Sequence, residues 1–141
     1  MTIEPKSLPG IVVDDADAVS VGHWNQTTSA ELTRVGRTYL HDGNTGKGKA
    51  SMNYTPELPR DGRYEVVVLF PPHGNRAANV PVTLVVAGEK LKAVRINQKE
   101  NGNASLGVFA LPSGRKSSVI ISNADTDGYV VADAVQFVPQ N

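Results

Sequence analysis

Thirteen residues near the end of the chain, DGYVVADAVQFVP (Asp127 to Pro139), constrain the fold more than any other stretch. They alternate. Tyr129, Val131, Asp133, Val135 and Phe137 fall on one face, and Val130, Ala132, Ala134, Gln136 and Val138 on the other. Both faces are mostly apolar, which predicts a central strand covered on each side. Asp133 stands in the middle of the larger-residue face, where a lone carboxylate is costly. Backbone N–H groups, an arginine or a bound cation must satisfy it. A hydrogen-bonded framework aspartate is the reading favoured over a metal ligand, since buried carboxylates are usually paired.

The rest of the chain reads the same way. Short extended runs are punctuated by Gly, Pro, Asn and Asp, and no window keeps apolar residues at helical spacing for long. Strands are predicted over Gly10 to Asp14, Leu32 to Leu40, Lys49 to Thr55, Gly62 to Phe70, Asn79 to Ala87, Leu91 to Gln98, Ser105 to Leu111, Ser117 to Asn123 and Gly128 to Val138. RYEVVVLF is the most β-prone run and should be central. In VPVTLVV, Pro81 is tolerable only where its missing N–H is not needed, so that strand should begin at an edge or bulge. AGEK and PSGRK carry tight-turn chemistry. Such spacing points to an all-β, antiparallel β-sandwich of jelly-roll type. Residues 1–9 read as a flexible lead-in and residues 10–141 as a single domain.

Composition narrows the function classes. With 14 basic and 14 acidic residues the net charge is zero, so no nucleic-acid partner is expected. No apolar run reaches membrane-spanning length, and there is no cysteine for disulfide or thiol chemistry. Gly43 and Gly48-Lys49 have the spacing of a phosphate loop. However, Ala50 replaces the required Ser or Thr and a strand pattern follows instead of a helix, so a glycine-rich hairpin loop is the reading. His23, His41 and His73 lack metal-site spacing. No nucleophile elbow exists, and a lyase or hydrolase reading has no support.

Three irregular stretches remain: Ala16 to Glu31, His41 to Gly48, and Pro71 to Ala78. If they gather at one end of the sandwich, that end is where function should lie. Trp24, the sole tryptophan, lies in the first and either caps the core or stacks on a sugar ring, with capping slightly preferred. Tyr39, His41, Asn44, Asn75, Arg76 and Asn79 are the side chains suited to hydroxyl or acidic-sugar recognition. Arg37 and the Lys47/Lys49 loop could add contacts to anionic groups. DDAD (Asp14 to Asp17) is either a polar strand end or, with Asp133, a weak calcium-site signal.

In order, the segments IVVDD, YLHDGNTGKGKAS, LPRDGRYEVVV, NRAANVPVTL, SLGVFAL and DGYVVADAVQFVP resemble the golvesin and xanthan-lyase carbohydrate-binding-like domain, over about Ile11 to Pro139. The resemblance implies a non-catalytic jelly-roll module attached to a secreted or cell-envelope enzyme, with no cofactor of its own. One departure is that Ala104 and Ser105 stand where family members often carry an aromatic.

The expectation is therefore a carbohydrate-binding module that holds a linked catalytic domain near polysaccharide, acidic or sulfated polymers included. Contacts are expected from Trp24, Tyr39, His41, Asn44, Arg76 and Asn79, and a structural calcium ion is a candidate at Asp14, Asp15 and Asp133. The rival is a structural accessory domain that packs on a neighbour or self-associates, with no sugar site.

Overall fold

The computed structural model describes residues 2–27, 34–36 and 38–141. The first seven strands are β1 (Thr2–Ile3), β2 (Ile11–Asp14), β3 (Val19–Val21), β4 (Asn25–Thr27), β5 (Arg34–Val35), β6 (Tyr39–His41) and β7 (Ser51–Tyr54). The second seven are β8 (Gly62–Leu69), β9 (Val80–Val86), β10 (Glu89–Ile96), β11 (Asn103–Leu111), β12 (Ser117–Ser122), β13 (Val131–Ala132) and β14 (Ala134–Pro139). Among the described residues the only helical turns are short 3-10 pieces at Pro5–Ser7 and Asp15–Asp17, and no helix is long and apolar enough to cross a membrane. Arg37 and part of the strand expected over Leu32 to Leu40 lie outside the described residues.

Two antiparallel sheets form the sandwich, one in the order β10-β9-β12-β7-β3 and one in the order β11-β8-β14-β2. The alternation seen in sequence sets which side chains face inward. Tyr64, Val66 and Val68 of β8 meet Val80, Val82 and Leu84 of β9 and Val119 and Ile121 of β12 in one core, each at most 1% exposed. Burying one such side chain contributes about 1.5–3 kcal/mol, so these three strands anchor the fold. Pro81 pairs with Arg95 of β10 but lies beyond the β12 ladder, which starts at Val82, so its missing N–H breaks no bond there. Residues 2–9, read from sequence as a lead-in, are tied to the body. β1 pairs in parallel with β5, and the Gln136 amide donates to the Pro9 carbonyl at 2.9 Å.

The run Asp127 to Pro139 differs from the expected single strand. Val131 and Ala132 pair with β6 in a small sheet of order β13-β6-β4, and the chain then crosses at Asp133 to enter the main sheet as β14. At the crossing the Asp133 carboxylate accepts from the Val35 N–H at 2.7 Å. β14 itself is the central strand predicted, lying between β8 and β2 with both faces buried.

Strand direction sorts the connections. The segments 42–50, 70–79, 97–102 and 123–130 all leave at one end of the sandwich, whereas the segments 55–61, 87–88 and 112–116 close the other. The start of β4 joins the first end, because Asn25 pairs with His41.

Candidate functional site

Side-chain hydrogen bonds lace these connections into one rim. Asp42 is its hub. Only 1% exposed, it accepts from Lys47 Nζ at 2.8 Å, Asn123 Nδ2 at 3.0 Å, and the backbone N–H groups of Asn44 and Val130 at 2.9 and 3.0 Å. Burial alone pushes the Asp42 carboxyl up. The bond from Lys47, then those from Val130, Asn123 and Asn44, outweigh that and hold it below the ordinary carboxylate value. Buried Asn123 completes the lacing: its amide oxygen accepts from the N–H groups of Gly48 and Ala50, and its nitrogen reaches the carbonyls of Thr45 and Gly46. The glycine-rich loop is thus a held structure. Asn44, Gly46 and Gly48 all take positive φ within it.

The 70–79 loop is fastened to the 123–130 loop in the same way. Asn79 bridges them, donating to the Asp125 carbonyl at 3.1 Å and accepting from the Asp127 N–H at 3.1 Å. Tyr129 donates its N–H to the Asn75 carbonyl, and Ala77 donates to the Tyr129 carbonyl. This close pass requires glycine at 128, where a Cβ would come within 2.9 Å of the backbone of Asn75 and Arg76. Gln98, fully buried, clamps Val131 by both its N–H and its carbonyl at 2.8 Å.

On this frame stand two rings. His41 and Tyr129 meet edge to face, with centroids 5.8 Å apart and planes at 69°. The Gly43 N–H donates to His41 Nδ1 at 3.1 Å, so the proton sits on Nε2, which is a donor. Burial and then the charge of Arg76 lower the His41 pKa, keeping the ring neutral at pH 7. Both rings are half-buried, and Asn44, His73 and Asn75 of the same rim connections are exposed.

Of the residues singled out from sequence, His41, Asn44 and Asn79 lie on this rim. Arg76 and Tyr39 lie beneath it, at 6% and 5% exposure. The Arg76 guanidinium bonds the Pro71 carbonyl and the Asn75 side chain, and sits 5.7 Å over the Tyr39 ring. Both are buried supports in this state, since their polar groups are already engaged inside the loop. Trp24 is half-buried against the core and its indole N–H donates to the carbonyls of Val21 and Ser51 at 3.1 and 3.2 Å, as a core cap would. Lys47 is turned inward onto Asp42, away from the contact with anionic groups expected of its loop. Sequence reasoning missed Tyr129, Asp42 and Asn123. The Asp-Gly-Asn run at 42–44 was a readable signal for a side-chain-capped turn.

Asp14, Asp15 and Asp133 do converge, as expected. One carboxylate oxygen of each lies within 4.8 Å of the others. Asp15 also accepts from Thr38 Oγ1 at 2.8 Å. Burial, then the charge of Asp14, pushes Asp15 up to about 7, and burial raises Asp14 as well. Oδ1 of Asp14, Oδ1 of Asp15 and the Tyr54 hydroxyl are buried without a hydrogen-bond partner. Burial raises the Tyr54 pKa well above its ordinary value, with the charges of Asp15, Asp133 and Asp14 adding to it. Converging carboxylate oxygens, two of them without a hydrogen-bond partner, are donors of the kind that a hard cation takes.

A sequence model of the golvesin C-terminal domain matches residues 11–139, almost the whole chain. The chain belongs to the golvesin C-terminal domain family. It is 41% identical over 143 residues to the xanthan lyase of Bacillus sp. (strain GL1), covering 96% of this chain but 15% of that enzyme. The solved structure of Paenibacillus xanthan lyase superposes with a TM-score of 0.85 at 39% identity, over 92% of this chain and 13% of that one. A family 35 carbohydrate-binding module from Clostridium thermocellum matches at a TM-score of 0.63 and 14% identity, over 90% of this chain and 97% of the module. That match speaks for the jelly-roll fold. The chain thus spans about one-seventh of the xanthan lyases it matches.

Proposed function

We propose that this domain is a non-catalytic carbohydrate-binding module that holds a linked enzyme of a secreted or cell-envelope protein at its polysaccharide. The observation that carries this reading is the rim itself. Four connections converge, their hydrogen bonds freeze them before any ligand arrives, and a ring pair stands among exposed amides. Pre-ordered loops lower the entropic cost of binding. An aromatic ring meets the C–H face of a sugar while amides and an imidazole N–H meet its hydroxyls. His41, Tyr129 and Asn44 make the direct contacts; Asn79 and Trp24 flank them; Arg76 and Tyr39 hold the ring pair from below. The golvesin-family membership and the xanthan lyase relatives support a polysaccharide as ligand, acidic polymers included. Tethering then raises the local concentration of substrate at the linked enzyme without new chemistry.

Asp14, Asp15 and Asp133 would hold a structural calcium ion beside the rim, with backbone carbonyls or water completing the six to eight oxygens it takes. Its part is to neutralise the acid cluster and tie β2 to β14. It takes no step in sugar recognition.

Affinity electrophoresis through gels cast with neutral and acidic polysaccharides tests the module. The expected result is retardation on at least one polymer, lost in Tyr129→Ala and in His41→Ala while both variants keep the wild-type melting temperature within a few degrees. Free migration in every gel would instead favour an accessory domain without a sugar site.

A further inference from the structure

The outward face of the five-stranded sheet forms a grid three residues deep. Across β3, β7, β12, β9 and β10 its upper row is Val21, Ser51, Ser122, Pro81 and Arg95, and its middle row Val19, Asn53, Ile120, Thr83 and Ala93. The lower row is Thr55, Ser118, Val85 and Lys90, with the Thr55 and Ser118 hydroxyls 2.7 Å apart. No charged residue stands on the first four columns, in a chain whose residues are 20% charged. Cations appear only on the β10 column. The sheet's two edge strands among the described residues also differ. β10 carries Lys90, Lys92 and Arg95, which guard an edge against pairing, whereas β3 carries Val19 and Val21, at 66% and 57% exposure the most exposed large hydrophobics described.

We propose that this face is the interface of a homodimer whose two-fold axis runs along the strands. A face uncharged over four of its five columns and without an aromatic ring suits a second protein face better than a sugar. Charge placement selects the axis. An axis across the strands would stack the two β10 columns head to foot, bringing Lys90 of each copy onto Arg95 of the other. An axis along the strands lays β10 of one copy over β3 of the other. Lys90 then meets the lower end of the opposing β3 column, where exposed Asp17 lies two residues before Val19. Five strands at about 4.8 Å spacing and three rows about 7 Å apart give a footprint on the order of 400 Å² per copy. With its flanks the dimer buries on the order of 1,000 Å² in total, the lower bound for a specific association, so it is a reversible one. The same axis points both loop rims in one direction, which would let two copies engage one polymer. The dimer itself does not rest on the sugar reading.

Sedimentation equilibrium from about 10 µM to about 1 mM tests it. The wild type is expected to shift from one to two monomer masses across that range. Val21→Lys and Ile120→Lys should stay monomeric with melting temperatures unchanged, since both side chains point outward. Asp17→Lys and Lys90→Glu should each weaken dimerisation roughly three- to tenfold through the two symmetric pairs, and the double exchange should restore it. A wild type that stays monomeric at the highest concentration overturns the proposal, as does a charge swap that restores nothing. Loss of polysaccharide retardation in Val21→Lys at unchanged mass would make the face a ligand surface and overturn it equally.

Discussion

The two ends of the sandwich are closed by different means. At one end the connections rely mostly on the backbone, with an exposed side-chain bond from Asp61 to the Ser113 N–H. Ala87 and Gly88 turn in two residues, the Leu58 and Gly114 backbones bond each other, and Ala87 donates to the Lys116 carbonyl. At the other, longer connections are held by side chains, with buried Asp42, Asn123 and Gln98 and half-buried Asn79 each reaching across to another segment. The same sheets need no such network to close. Buried polar networks are high-stakes, since each member must be satisfied. A fold that carries one at a single end has a surface to keep in shape there, and that surface bears His41 and Tyr129.

The largest test of this contrast is Asp42→Ala. It strips four bonds from the hub and should cost roughly 3–5 kcal/mol, read as a lowered urea midpoint. Asp61→Ala, which removes an exposed carboxylate bonded to the Ser113 N–H at the plain end, should leave the midpoint unmoved. Equal losses would erase the distinction between the ends. The hub also carries a pH signature. Its folded pKa lies below the unfolded one, so its contribution is present above about pH 4 and is lost as pH falls through the folded value.

Next in size is Gly128→Ala. Its methyl would press on the backbone of Asn75 and Arg76, which cannot yield as a side chain does. A loss of about 1–3 kcal/mol is expected, together with weakened polysaccharide retardation. Gly46→Ala in the same rim meets nothing within 4 Å and should show only the smaller penalty of its positive φ.

The acid cluster behaves oppositely to Asp42. Asp15 titrates near 7 in the folded chain and near 4 when unfolded, so without metal the folded state holds the extra proton between those values. Stability should fall as pH rises from about 4 to about 7. Calcium competes with that proton, so it should raise the melting temperature at pH 8 by roughly 2–8 °C, with little effect at pH 5 and reversal by EDTA. A calcium shift of equal size at both pH values would point to a site elsewhere.

The smallest expected change is at the plain end. Ala87 holds φ 51°, a conformation suited to glycine or asparagine in a two-residue hairpin. Ala87→Gly should stabilise the chain by about 0.5–1 kcal/mol without touching polysaccharide binding.

Much of this was legible in the residues. Alternating valines in Arg63 to Phe70 and Val80 to Val86 announce two packed sheets, and the polar stretches between strands mark the connections that gather at one end. What alternation does not encode is which sheet a strand joins. Val131 and Ala132 keep the rhythm of β14 while pairing elsewhere, so Tyr129 reads as a strand residue although it stands on the rim. β3 and β4, at three residues each, are too short to show a pattern. Arg76 and Tyr39 have the chemistry for sugar contact, yet chemistry alone does not tell a contact residue from a buried brace; that depends on neighbours distant in sequence, Tyr39 lying 37 residues from Arg76 and Tyr129 farther still. The hub Asp42 pairs with Asn123 across 81 residues, beyond any local signal.

The most direct test of the grip is to titrate the isotopically labelled protein with oligosaccharides of whichever polymer retards it, following backbone amide shifts by NMR. Perturbations confined to residues 41–47, 73–79 and 125–129, and abolished in Tyr129→Ala, are the result expected. Shifts centred on the outward face of β3, β7 and β12, or none with any polymer, would contradict it.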